Sequence, residues 1–233
     1  MKIEAYGATD IGRVRKTNQD SFLIDDLHHL YLVADGIGGA KGGGEASALC
    51  VTMLSESVKG PSLEKPSELL KKTFYKINDF LFKASQNNQN LKGMGTTGTA
   101  LLIQQGKAYC AHVGDSRAYL FQDGCVWQLT EDHTVAAQKK KKGMSSNENH
   151  VLTRSLGVEE ELEIDLFYRK LHKNDIFLLC SDGLTNYIKN HEFSEFLNHS
   201  TPSEIPARLI EEANQRGGKD NTTVLLVRII DTQ

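Results

Sequence analysis

The sequence lacks several features that would mark particular classes of protein. It has four prolines in 233 residues, no serine- or proline-rich segment, no internal repeat and nothing resembling a linker. We therefore expect one large domain over residues 1–233, long enough to bury a sizeable core. No stretch approaches the roughly 18 apolar residues of a membrane span. Residues 1–10 carry charges and no apolar run of signal length. The sequence therefore predicts a cytoplasmic protein.

Cysteine and net charge are also low. The four cysteines are far apart in the sequence, at Cys50, Cys110, Cys125 and Cys180. Their spacing fits neither a zinc site nor a disulfide framework, which predicts buried thiols in a reducing compartment. The formal net charge of −3 indicates neither a nucleic-acid partner nor a membrane surface.

What the sequence does contain is a series of apolar segments of strand length, rich in branched and aromatic residues. They cover residues 21–24, 29–34, 97–103, 107–113, 117–121, 175–180 and 222–230. Helical periodicity predicts helices at 44–58, 67–86, 185–198 and 203–216. Gly114-Asp115-Ser116 predicts a hairpin between two of the strands. Because the strands cluster while the helices group together, we expect an α+β fold of antiparallel sheets covered by helices. Residues 134–150 are predicted to be a mobile surface segment.

Aspartates recur where the predicted strands begin or end. There are five of them, at Asp20, Asp35, Asp115, Asp182 and Asp220, several beside a glycine. Each alone is ordinary turn chemistry, because Asp-Gly is a common turn former. Together, carboxylates at strand ends would repel one another unless cations compensated them. If the ends converge, they form an oxygen-only site that suits Mg²⁺ or Mn²⁺ and disfavours Zn²⁺.

The order of the motifs around these aspartates adds a resemblance to a known family. The motifs are Arg15-Lys-Thr-Asn18-Gln-Asp20, Val33-Ala-Asp35-Gly36-Ile-Gly38-Gly39, Gly95-Thr96-Thr97, Gly114-Asp115-Ser116-Arg117, Ser181-Asp182-Gly183-Leu184 and Asp220-Asn221-Thr222. In this order they resemble the metal-dependent serine/threonine phosphatases of the type 2C or PPM family, in their compact bacterial form. The resemblance runs essentially from Thr9 to Ile229. It implies a four-layer αββα sandwich, with two stacked antiparallel sheets flanked by helices.

The resemblance also implies a role for each motif residue. Asp20, Asp35, the Gly36 carbonyl, Asp182 and Asp220 would bind a binuclear Mn²⁺ or Mg²⁺ centre, with Asp35 bridging the ions.

A third, weaker metal site would lie at Asp115 and Asp182, and Arg15 would hold the substrate phosphate. A water activated by the two metals would attack phosphorus, while metals and guanidinium stabilise the charge of the transition state. Arg15 can bind two phosphate oxygens at once, which a lysine cannot.

The sequence departs from the family pattern at three places. Ile37 stands where many eukaryotic members have a histidine assigned as a general acid, so the leaving group must take its proton from a metal-bound water. Ala40 stands where bacterial relatives often have histidine. The flap beside the active site, at about 134–150, is shorter than usual. These departures bear on substrate preference, because the metal ligands themselves are present.

Other polar residues have simpler predicted roles. Arg117 is expected to tie the hairpin to the core, and His112 and His133 are expected to be structural. The four consecutive lysines at 139–142 are most simply a solvated patch, although they could attract acidic phosphoproteins.

Three functions compete at this point: a phosphatase that opposes serine/threonine kinases, a phosphatase of a small phosphoester or signalling regulator, and a scaffold on a degenerate phosphatase fold. The five aspartates disfavour the scaffold, since degenerate members should lack a ligand. We expect a monomer whose partners are phosphorylated proteins, with no nucleic-acid or membrane partner.

Overall fold

The computed structural model of the protein describes residues 1–38, 42–60, 64–145 and 151–232. Ala40 and residues 146–150 of the predicted flap lie outside these ranges. The strands are β1 (Lys2–Asp10), β2 (Asp20–Asp25), β3 (Leu30–Ile37), β4 (Gly95–Thr96), β5 (Gly98–Gln104), β6 (Lys107–Val113), β7 (Arg117–Gln122), β8 (Cys125–Gln128), β9 (Asp165–Lys170), β10 (Ile176–Cys180) and β11 (Thr222–Asp231). The α-helices are α1 (Gly42–Ser57), α2 (Pro66–Asn87), α3 (Val135–Lys141), α4 (Asp182–Thr185), α5 (Phe193–His199) and α6 (Ile205–Gln215).

The strands form two antiparallel sheets. One has the order β1-β11-β10-β7-β8, and the other has the order β2-β3-β5-β6-β9 with β4 paired to the end of β3. Strand β3 explains how they stack, because successive side chains of a strand point to opposite faces. Leu30 and Leu32 pack in the core under α1 and α2, whereas Tyr31 and Val33 pack against β10 and β11 of the other sheet. Both faces of β3 are buried over residues 30–34, so this part of the strand is apolar.

The second sheet carries its own helical layer. Phe193 of α5 and Leu209 of α6 belong to the same buried cluster as Leu178 and Leu226 of β10 and β11. The order of layers is therefore helices, sheet, sheet, helices. This confirms the predicted four-layer αββα sandwich.

The predicted hairpin between residues 107–113 and 117–121 is wrong. Strand β6 pairs with β5 and β9, whereas β7 pairs with β8 and β10 in the other sheet. Residues 114–116, which we call the crossover loop, therefore pass from one sheet to the other. Gly114 turns the chain with a φ of 109°, a region that glycine favours. The Ser116 hydroxyl then lies 2.7 Å from that of Thr97. Asp115 is consequently at the junction of the sheets and not at a hairpin tip.

The predicted helix at 185–198 is interrupted. Helix α4 ends at Thr185, a 3₁₀ helix follows at Asn190–Glu192, and α5 begins at Phe193. Lys189 is extended, with φ −86° and ψ 153°, and its N–H donates to Glu192 Oε2 at 2.8 Å. The Glu192 carboxylate therefore starts a new helical segment where apolar periodicity suggested a continuous helix.

The beginning of the predicted mobile segment is regular structure. Thr134 Oγ1 accepts a hydrogen bond from Ala137 N at 3.1 Å, which caps the start of α3. The N–H of Val135 donates to Val151 O at 2.8 Å, which anchors the same turn. The four lysines fall in the last turn of this helix and just beyond it.

The sequence pattern missed β1, β8 and β9, each of which lies at a sheet edge. Edge strands are more exposed and less apolar, which weakens their hydrophobic pattern in the sequence.

Cys50, Cys110 and Cys180 are buried as predicted, whereas Cys125 in β8 is exposed; all four thiols are free. Among the described residues, no helix has the length and apolarity needed to cross a membrane.

Candidate active site

Asp20 joins the two sheets at one end of the sandwich. It begins β2, where its Cα pairs with that of Asp35 on β3. Its side chain reaches the other sheet, where Oδ2 accepts hydrogen bonds of 2.7 Å from both Ser181 Oγ and Thr223 Oγ1. Within the part of the chain that the structure describes, its other oxygen, Oδ1, is buried without a hydrogen-bond partner. An oxygen acceptor is therefore available inside the site.

Asp35 is fixed through its backbone at the end of β3. Its N–H donates to Thr97 Oγ1 at 2.9 Å, and its carbonyl accepts from Thr97 N at 2.8 Å. The next residue is closely packed: a Cβ on Gly36 would lie 2.2 Å from the carbonyl oxygen of Gly43 in α1. Only glycine fits there, which explains the Asp-Gly pair at this strand end.

The remaining three aspartates come from separate connections. Asp115 is on the crossover loop, Asp182 begins α4, and Asp220 stands two residues before the start of β11. A Cβ on Gly183 would lie 2.0 Å from the carbonyl oxygen of Asn221, so α4 approaches the start of β11 as closely as glycine permits.

The pKa values indicate that all five aspartates share one neighbourhood. Burial, followed by the charges of Asp20, Asp182, Asp115 and Asp220, holds the pKa of Asp35 well above its usual range. Burial is also the main cause that raises the pKa of Asp20 to about 6 and that of Asp115 to about 7. Such shifts are characteristic of buried carboxylates that also repel one another.

The donor set fits a hard cation, although its ligands are not drawn together around one position. Among the described residues, no three histidine, cysteine, aspartate or glutamate side chains form a ready ligand cluster. The polar groups in this neighbourhood are carboxylates and hydroxyls, which are the oxygen donors that Mg²⁺ and Mn²⁺ prefer. A cation beside Asp20 Oδ1 would satisfy a buried oxygen and relieve the repulsion between carboxylates.

Arg15 lies at the mouth of this site. Its guanidinium Nη2 donates to Asp220 Oδ2 at 2.6 Å, and its side chain is 47% exposed. This hydrogen bond is the main cause that raises the pKa of Arg15. Asp220 therefore orients the guanidinium beside the aspartates while leaving part of it accessible from solvent.

Asn221 and Ser181 are supporting residues to which the sequence reading gave no role. Asn221 Oδ1 accepts from Gln19 N at 2.9 Å, and its Nδ2 donates to Ile11 O and Thr17 O, which ties down the segment that carries Arg15. Both residues adjoin aspartates in the motifs quoted above. Their position next to candidate ligands is the sequence signal that could have identified them.

The histidines and Arg117 have structural contacts, consistent with the roles expected of them. Arg117 makes two hydrogen bonds to Asp132, of 2.7 and 2.6 Å, although β6 and β7 do not form the predicted hairpin. Gly114 N donates to His133 Nδ1 at 3.0 Å, which holds the crossover loop. His112 Nδ1 lies 2.9 Å from Thr99 Oγ1, and the His112 ring is tilted by 40° against that of His133, with 4.7 Å between the ring centroids. Burial is the main cause that lowers the pKa of His112 to about 4.

The aspartates open onto a groove of about 1380 Å³. Asp115, Asp182 and Asp220 line it at the site, and residues of α3 and of the loop after α4 line it further out. A buried carboxylate centre at the end of an αββα sandwich, beside an open groove, has the oxygen donors and the access that a metal-dependent hydrolase requires.

Comparison with known proteins identifies the family. The sequence profile of Protein phosphatase 2C matches residues 12–212. The serine/threonine phosphatase stp of Listeria monocytogenes serotype 4b (strain F2365) is 40% identical over 234 residues, which cover 94% of this chain and 93% of that protein. The structure of Stp1 from Staphylococcus aureus superposes with a TM-score of 0.92 at 30% identity, covering 99% of this chain and 96% of that one.

A further solved structure contains metal. The catalytic domain of the serine threonine protein phosphatase PstP, in complex with two manganese ions, superposes with a TM-score of 0.90 at 32% identity, over 98% of this chain and 99% of that one. The chain belongs to the protein phosphatase 2C family, the metal-dependent serine/threonine phosphatases that its motifs resemble. It is therefore a protein phosphatase, an enzyme that hydrolyses phosphate esters on proteins.

Proposed function

We propose that this enzyme removes phosphate from phosphoserine and phosphothreonine in proteins, with two Mn²⁺ or Mg²⁺ ions bound by Asp20, Asp35, Asp182, Asp220 and the Gly36 carbonyl. When bound, the ions would lower the pKa of a water and stabilise the negative charge of the transition state. The observation that carries this proposal is the buried Asp20 Oδ1, which has no hydrogen-bond partner among the residues that the structure describes and lies among carboxylates whose pKa values are raised. Such a centre is stable in its ionised form only when cations compensate it.

We assign a separate, weaker cation position to Asp115 and Asp182. Asp115 is carried by the crossover loop, and its pKa is raised first by burial and then by the charge of Asp182. Because Asp115 stands on a different connection from the other aspartates, its loss would leave the remaining ligands in place.

Arg15 is the residue that we assign to the substrate phosphate. Its planar fork can donate to two phosphate oxygens, and its contact with Asp220 holds it beside the carboxylates. The chain thus orients the phosphoryl group with Arg15 while the aspartates hold the cations.

At the level of the whole protein, residues 1–233 would form one catalytic domain, with the flap at about 134–150. We propose that it acts as a monomer in the cytoplasm and opposes serine/threonine kinases. The open groove favours a polypeptide substrate over a small phosphoester, because a site for a small molecule is usually more enclosed.

A panel of substrates tests this function. With Mn²⁺, peptides carrying phosphoserine or phosphothreonine should be hydrolysed faster than the matched phosphotyrosine peptide, and excess EDTA should stop all turnover. Preference for phosphotyrosine, or for a small phosphoester over every phosphopeptide, would overturn the assignment.

A further inference from the structure

Beyond the aspartates, the groove is lined by basic side chains from three separate parts of the chain. Lys140 lies in α3, Lys189 follows α4, and Lys219 precedes Asp220. All three are exposed. We call these three residues the lysine rim. Because the three residues are far apart in the sequence, the run of lysines at 139–142 indicated only one of them, Lys140.

Several other charged side chains in the groove form ion pairs with one another. Arg117 pairs with Asp132 at 2.6 Å, and Lys141 pairs with Glu131 at 2.8 Å. Arg15 pairs with Asp220 at the site itself. These pairs neutralise both members, so they contribute little net field to the groove.

The three lysines of the rim take no part in these ion pairs. Among residues 1–38, 42–60, 64–145 and 151–232, Lys140, Lys189 and Lys219 have no ion-pair partner. Asp115 and Asp182 also line the groove, and both belong to the proposed cation site. With cations bound there, the outer groove would present net positive charge to its substrate.

We propose that the lysine rim selects phosphoproteins in which acidic residues flank the phosphorylated serine or threonine. The inference rests on the proposed function, because it assumes that a phosphorylated segment lies in this groove. A chain with aspartate or glutamate near the phosphoresidue matches the charge of the rim, whereas a basic flank is repelled. Of the lysines at 139–142, the rim includes Lys140 alone, since Lys141 already pairs with Glu131.

Exposed charge pairs are individually weak, so the expected effect is collective. Three such contacts together correspond to about a tenfold change in kcat/KM at low salt. The effect should appear mainly in KM and should shrink as the ionic strength rises, since the Debye length falls to about 3 Å at 1 M salt.

The test is the triple variant K140Q/K189Q/K219Q with two phosphothreonine peptides, one flanked by glutamates and one by glutamines. We expect the triple variant to lose about tenfold in kcat/KM on the acidic peptide, with little change on the neutral peptide or on p-nitrophenyl phosphate. The matched control K76Q/K92Q/K173Q removes the same charge from exposed lysines outside the groove lining and should leave both peptides unaffected.

Lys219 adjoins Asp220, so the double variant K140Q/K189Q repeats the test away from the candidate ligands. An unchanged rate on the acidic peptide, or an equal loss on the neutral one, would overturn the proposal. Failure of the wild-type enzyme on both phosphopeptides would instead count against the proposed function, which keeps the two failures distinct.

Discussion

The contact between Ser181 and Asp20 permits a prediction with a defined magnitude. Ser181 Oγ donates to Asp20 Oδ2 at 2.7 Å and also accepts from Thr223 N at 2.9 Å. Ser181→Ala removes a hydrogen bond to a buried carboxylate, which contributes about 1.5–3 kcal/mol. It also leaves a buried N–H without its acceptor, at a cost of about 1–3 kcal/mol. Because Thr223 Oγ1 still donates to Asp20, we expect the free energy of unfolding to fall by about 3 kcal/mol in total.

The assay is urea unfolding of the chelated protein at pH 8, where Asp20 with a pKa of about 6 is mostly ionised. The midpoint should fall for Ser181→Ala while the m-value stays the same, since the folded surface is unchanged. Ser203→Ala, at an exposed turn, is the matched control and should stay within about 0.5 kcal/mol of wild type.

The same variant should bind metal less well. Ser181 fixes the orientation of a candidate ligand, and loss of such a supporting contact typically weakens metal affinity by about 10–100-fold. Calorimetric titration with Mn²⁺ measures this. A variant with wild-type stability and wild-type Mn²⁺ affinity would show that the Ser181 hydroxyl has no part in holding Asp20.

The remaining predictions concern three other residues. Asp115→Ala should keep the fold and the tight Mn²⁺ sites while impairing turnover, and loss of the tight sites in calorimetry would show that its role is misassigned. Arg15→Ala should raise KM for phosphopeptides more than it weakens Mn²⁺ binding; the reverse pattern would make Arg15 a support for Asp220. His112 has a folded pKa of about 4, below its unfolded value, so its contribution to stability is complete above pH 6.5 and is lost as pH falls towards 4. Between pH 6.5 and pH 4, the free energy of unfolding of His112→Gln should therefore fall by about 3 kcal/mol less than that of the wild type. An identical pH dependence in the two proteins would show that His112 does not have this lowered pKa.

The sequence predicted the fold wherever local pattern and burial agree. Strands such as β3 and β10 are buried on both faces, so their apolar runs are unambiguous. The crossover loop is different, because Gly-Asp-Ser between two apolar strands is also hairpin chemistry. The choice between hairpin and crossover depends on distant contacts, from Ser116 to Thr97 and from Gly114 to His133, which a local pattern does not contain.

The candidate site was predictable to a similar extent. The five aspartates could be identified because each stands at a strand end in a recognisable motif, and the structure brings them into one neighbourhood. The contacts of Asp20 with Ser181 and Thr223 connect positions 161 and 203 residues away in the chain, so they follow from the stacking of the sheets. The lysine rim likewise joins three parts of the chain that only the fold brings to one groove.

The central claim, that these aspartates bind the catalytic cations, is tested most directly by Mn²⁺ titration of the chelated enzyme with hydrolysis of a phosphothreonine peptide followed in parallel. We expect no activity in excess EDTA, recovery as Mn²⁺ fills two sites, and loss of both Mn²⁺ binding and recovery in Asp35→Asn. Full activity of the chelated wild type, or an Asp35→Asn variant that binds Mn²⁺ and turns over normally, would contradict it.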